Sequence, residues 1–101
     1  MYLIEVFLPL TYPNGDPVPE SIFELIEGEL TETFGGVTEY VRGSTRGFWR
    51  KDGHPKADSL VVLEVMTKDL EKDWWKEFRH RTKALLRQEE LLVRTAPCER
   101  L

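Results

Sequence analysis

Cysteine is nearly absent from this chain. Among its 101 residues there is one, Cys98, and a single cysteine cannot build an internal disulfide framework, which fits a reducing compartment. Long apolar runs are missing too, for none reaches the ~20 residues needed to span a bilayer. The apolar start MYLIEVFLPL is broken by Glu5 and has no basic residue ahead of it. A signal peptide needs a basic start and a small-residue cleavage site, so this stretch reads as a first strand, and a cytoplasmic location is expected. The phosphate-loop patterns G-x-x-x-x-G-K-[ST] and G-x-G-x-x-G do not occur, and no cofactor is expected. The RNA-binding pattern of aromatic residues on an open sheet is missing as well, and with a net charge of −4 a nucleic-acid partner is disfavoured.

Basic residues are missing from one part of the chain. No Lys or Arg precedes Arg42, whereas eight acidic residues do; all 14 basic residues lie from Arg42 onward, with ten acidic ones. Such asymmetry can mark a nucleic-acid tail, but two complementary elements packed side by side explain it more simply. Hydrophobic residues make up 41% and charged residues 32%, the balance of a soluble globular domain rather than a disordered chain. A chain this long forms one small domain, here taken as residues 1–101. It buries only roughly two-thirds of its unfolded surface, so association would add useful stability.

The elements follow from pattern. Tyr2 to Leu8 reads as a strand with apolar residues on both faces. PLTYPNGDPVP is loop chemistry. A helix is expected from about Val18 to Phe34, with Pro19 near its first turn, an apolar stripe of Ile22, Ile26 and Leu30, and Gly35 at a left-handed C-cap. Gly36 to Lys51 reads as an extended segment broken at GSTRG, then a turn at Asp52-Gly53. Ser59 to Met66 is the strongest strand. A second helix, capped by Thr67 or Asp69, is expected to run to about Glu89 with Leu70, Trp74, Phe78 and Leu85 inward, helped by Leu86. Since Trp74 and Trp75 are neighbours, both cannot face the core, and Trp75 is expected to cover a loop or a partner. Leu91 to Thr95 forms a last strand before Pro97.

The order β-α-β-β-α-β specifies an α+β fold of the ferredoxin-like plan, an antiparallel sheet with both helices on one face. The glutamates of the first helix then lie beside Arg79, His80, Arg81, Lys83 and Arg87 of the second. The sheet's other face is left with Leu3, Phe7, Leu60, Val62 and Met66, too large an apolar patch to stay wet. A second copy of the same sheet is the simplest cover, giving a homodimer in the form of a dimeric α/β barrel. Glu5 and Glu64 interrupt this face on neighbouring strands.

Five of the seven glycines fall between Phe34 and Gly53. Each has a backbone reason: a helix end, a bulge or kink in the bent strand, a turn. The segment also carries Gly36-Val37-Thr38, Gly47-Phe48-Trp49 and Asp52-Gly53, followed by the buried strand. These motifs, over about the middle third of the chain, resemble a family of small uncharacterised bacterial proteins of ferredoxin-like fold. This chain departs from that pattern by inserting RGST between the Thr and the Trp and by a longer loop at Pro9 to Pro19. The resemblance implies a fold and no mechanism. In fold alone the plan is similar to small monooxygenases and muconolactone-isomerase-like proteins built as dimeric α/β barrels, and fold does not carry function.

Candidate chemistry centres on two acids. A carboxylate in an apolar cleft can act as a general base, and a close pair can share one proton. Glu64 and Glu5 are therefore the catalytic candidates, against the simpler alternative that they pair with Arg42, Arg46 or Arg50 of the bent strand or line a wet seam. Arg42, Trp49 and Tyr40 are the ligand-binding candidates, since aromatics beside arginine suit a planar anionic ligand; packing into the core or seam is the equal alternative. His54 lies between Asp52 and Asp58 with no metal-site spacing, so no metal is expected. A small-molecule pocket between sheet and helices is expected if there is an activity, and a protein-interaction module using the exposed face if there is not.

Overall fold

The computed structural model describes residues 1–42 and 60–101. Among the described residues six elements appear in the expected order: β1 (Tyr2–Pro9), α1 (Glu20–Phe34), β2 (Thr38–Arg42), β3 (Leu60–Thr67), α2 (Lys72–Leu85) and β4 (Val93–Pro97). The strands form one antiparallel sheet in the order β2-β3-β1-β4. Chain neighbours β2 and β3 pair, and the first strand lies between the third and the last. Among the described residues no helix is long and apolar enough to cross a membrane.

Alternation along β1 and β3 builds the core. Ile4, Val6 and Leu8 of β1 and Val61, Leu63 and Val65 of β3 are buried in one cluster with Ile26 and Leu30 of α1 and Trp75 and Phe78 of α2. Both helices therefore cover the same side of the sheet, here called its inner face. The register Ile4↔Val65, Val6↔Leu63 and Leu8↔Val61 keeps these side chains together, since residues opposite one another share a face.

The helices begin and end for local reasons. Helix α1 starts after Pro19, with Glu20 at the positive end of its dipole, and stops where Gly35 takes φ 84°. The Gly35 N–H donates to the Thr31 carbonyl at 2.8 Å, the left-handed cap expected there. Helix α2 begins later than the sequence suggests, at Lys72; Glu71 stands at its N-cap, and neither Thr67 nor Asp69 caps it. That start sets its phase. Trp75, Phe78 and Thr82 face inward, spaced by three and four residues as an inner stripe requires. The expected assignment of the tryptophans is thereby reversed. Trp75 is buried, while Trp74 packs against the core from its edge. Phe34, Trp74, Trp75 and Phe78 form one aromatic group, with Phe34 stacked on Trp75 at 5.1 Å and Trp74 on Phe78 at 5.3 Å. Leu85, expected inside, is exposed.

The loop after β1 folds back on itself. Thr11 and Pro17 form an isolated bridge, Gly15 turns at φ 93°, and the Asn14 side chain donates to the Asp16 carboxylate and accepts from the Asp16 N–H. This brings Val18 into the core and places the Arg87 guanidinium 4.4 Å above the Tyr12 ring. Strand β4 runs two residues later than expected. Pro97 is its last residue, opposite Tyr2 and on an edge strand, where a missing N–H is tolerated.

Candidate functional site

The outer face of the sheet differs from the inner one because of a single row. Thr38, Glu64, Glu5 and Arg94 stand opposite one another across β2, β3, β1 and β4. On one side of this row lie Tyr40, Val62 and Phe7; on the other lie Met66, Leu3 and Ala96. A polar stripe thus divides an apolar face.

The two acids meet as expected, and among the described residues only Glu5 has a cation. Glu5 and Glu64 are register partners on adjacent antiparallel strands. The Glu5 Oε1 accepts a hydrogen bond from the Arg94 Nε at 2.8 Å, and the side chain of Glu5 is only 17% exposed. This cation comes from β4, which lies directly beside β1 and sets Arg94 opposite Glu5; the side chains of Arg42, Arg46 and Arg50 lie outside the described residues. The same guanidinium lies 4.8 Å from the Phe7 ring centre, so it neutralises the acid and covers an aromatic at once. Glu64, half-buried, has no hydrogen-bond or ion-pair partner among the described residues.

Glu64 lines a cleft of about 420 Å³ at one end of the outer face. The walls are Phe34, Val37 and Met66, with the Gly35-Gly36 backbone at the end of α1 and Arg100 from the C-terminal tail. The tail reaches this place by crossing the start of β1, where the Cys98 N–H donates to the Met1 carbonyl. The cleft therefore opens on the outer face of the sheet, whereas the sequence suggests a pocket between sheet and helices. Arg100 gives no signal in the sequence, since nothing local marks a tail residue that reaches a cleft through topology.

The other candidates separate. Tyr40 stands on the outer face beside Val62 and is 44% exposed; it is two residues from Thr38 but does not itself line the cleft. Arg42 closes β2 opposite Leu60, but its side chain lies outside the described residues, as do Trp49 and His54. No group of three or more metal-ligating side chains occurs among the described residues.

The face is also less apolar at its surface than its composition suggests. Of Leu3, Phe7, Leu60, Val62 and Met66, only Met66 is exposed; Val62, flanked by Phe7 and Tyr40, is fully buried. The pairing expected between the helices is realised once among the described residues, as Arg81 Nη1 to Glu29 Oε2 at 2.7 Å. Glu20, Glu24 and Glu27 instead gather on one stripe of α1 facing Glu39 of β2. Burial pushes the Glu27 carboxyl above the ordinary glutamate value, and the charge of Glu39, to which it is hydrogen-bonded, pushes it further the same way.

No protein-family model matches the sequence, and no curated protein matches it. In structure the chain is similar to a phage SAM lyase solved in complex with S-methyl-5'-thioadenosine, with a TM-score of 0.53 and 12% identity over 94% of this chain and 79% of that one. At that identity the likeness shows the fold alone, a small α+β domain with a four-stranded antiparallel sheet and two helices.

Proposed function

We propose that this protein binds a small molecule in the outer-face cleft, with Glu64 as the residue that engages it. One observation carries this reading. Of two carboxylates set side by side on the face, Glu5 has a cation and Glu64 has none among the described residues, and Glu64 is the one that lines the cleft. An unpaired half-buried carboxylate disfavours the folded state, so a residue of this kind is more readily explained by use than by stability. In a catalytic version Glu64 is the general base and Arg100 takes the part that Arg42 has in the sequence reading, holding an anion. Glu5, bound to Arg94, positions the row.

The strand order β2-β3-β1-β4, with both helices on one face, supports the ferredoxin-like plan as the finer description of the fold. The solved protein of similar fold suggests a first probe for the cleft. Backbone-amide NMR spectra of the 15N-labelled protein, titrated with S-methyl-5'-thioadenosine and a general fragment set, test the reading. Shifts concentrated at Val37, Glu64, Met66 and Arg100, and lost in Glu64→Gln, are expected. Shifts elsewhere, or shifts unchanged by Glu64→Gln, would overturn it.

A homodimer through the same face is the second part of the reading. Tyr40 and Met66 on that face, and Leu92 beside Phe7, are large apolar side chains left exposed, and a second copy is the simplest cover. Light scattering at micromolar concentration checks it: the mass of two chains is expected, and the mass of one would leave the face to a different protein partner.

A further inference from the structure

We infer that the ligand of the outer-face cleft is a zwitterion with an apolar body, a molecule of the amino-acid type whose cationic group meets Glu64 and whose anionic group meets Arg100. The inference rests on the reading of this cleft as a binding site and adds the chemical class that it takes.

Three features of the cleft converge on this class. Glu64 and Arg100 line the same cleft and carry opposite charges, yet among the described residues neither has an ion-pair partner, including the other. Two opposite charges in one cleft that do not pair with each other suit a ligand with the complementary charges at its two ends. A ligand with only one charge would satisfy one side and leave the other facing its like or nothing.

The end of α1 strengthens the cationic side. Its last turn contains no basic residue, and it ends at the Gly35-Gly36 wall of the cleft. The carbonyl end of a helix is its negative pole and favours a positive charge nearby. Glu64 and this helix end thus bias one part of the cleft toward a cation, and Arg100 supplies the donors for a carboxylate or similar anion at another. Phe34, Val37 and Met66 leave an apolar surface for the ligand's body. Met66, 43% exposed without a ligand, is an adaptable thioether wall that fits bodies of different shape.

The space is adequate but not large. A volume of about 420 Å³ falls at the lower end of ligand pockets, which run from about 300 to 1,000 Å³. It suits a single amino acid or a derivative of that size better than a peptide.

A matched trio tests the inference. Calorimetric titration of the full chain is run with L-phenylalanine, its amide, which keeps only the cation, and its N-acetyl derivative, which keeps only the anion. L-Phenylalanine is expected to bind about tenfold or more tightly than either, the loss that goes with one charge-assisted hydrogen bond. Glu64→Gln should abolish its advantage over the N-acetyl compound, and Arg100→Gln its advantage over the amide. If the amide binds as tightly as the amino acid and depends on Glu64, the cleft is a cation site and the zwitterion inference fails while the binding reading stands. If none of the three binds at millimolar concentration and the Glu64 and Met66 amide signals do not move, the zwitterion inference fails. The cleft reading then falls as well, unless S-methyl-5'-thioadenosine or a fragment moves those signals.

Discussion

The two faces of this sheet are made from the same strands and do different work. On the inner face, β1 and β3 contribute six apolar side chains in unbroken register, all buried under both helices. On the outer face the same strands carry a glutamate each in their middle, opposite one another. A strand alternates its side chains with a period of two, so one short sequence can encode a structural surface and a chemical one at once. The inner face is continuous because interruption would cost stability; the outer face is interrupted by the charged row that borders the proposed site.

Substitutions that compare the faces should follow a steep order. Phe78, fully buried beneath both tryptophans, is the deepest anchor of the inner face. Phe78→Ala should lower stability by about 3–5 kcal/mol, read as a drop in the denaturation midpoint. For a domain of this size that is a large part of the whole. On the outer face the largest effect belongs to Arg94. Arg94→Met keeps an apolar stem but removes the guanidinium from both Glu5 and the Phe7 ring, and a loss of about 1 kcal/mol is expected. An unchanged midpoint for Arg94→Met would show that the Glu5 pair contributes nothing.

A third region gives the smallest effect, with opposite sign. Glu27 holds its proton more strongly in the folded protein than in the unfolded chain, through burial first and then the charges of Glu39, Glu24 and Glu20. A carboxyl raised in this way favours the folded state fully below its unfolded value, and that contribution is lost as pH rises through its folded value. Glu27→Gln should therefore be more stable than the parent at neutral pH. The gap should open upward from about the ordinary value of 4.5, to about half a kcal/mol, since Glu39 is exposed and solvent screens the repulsion. Unfolding curves across the acid range check both sign and window; a gap that closes with rising pH would contradict them.

Much of this comparison could be read in the sequence, and the exceptions have clear causes. The inner stripes of β1 and β3 followed from alternation, and the opposition of Glu5 and Glu64 followed from two central antiparallel strands. Gly35 was legible because a left-handed cap leaves few residue choices. The phase of α2 was not: counting the stripe from Leu70 placed Trp74 inside, whereas the helix starts at Lys72 and turns Trp75 inward. The partner of Glu5 was also hidden. Arg94 lies 89 residues away in the chain, and only the placement of β4 beside β1 brings the two together. Arg42 and Trp49, chosen for being near one another in sequence, lie on a segment whose side chains the structure does not describe. Arg100 reached the cleft through the path of the tail, which no local pattern announces.

The most direct test is the pair of values obtained from Glu64→Gln: its unfolding midpoint and its affinity for the ligand of the cleft. The substitution keeps the shape of the side chain and removes only its charge, which stands beside another carboxylate and has no partner among the described residues. The account predicts a midpoint equal to or above that of the parent, together with lost binding. A midpoint lowered toward that of Phe78→Ala, or binding left intact, would show that Glu64 belongs to the scaffold and that the outer face is not the working one.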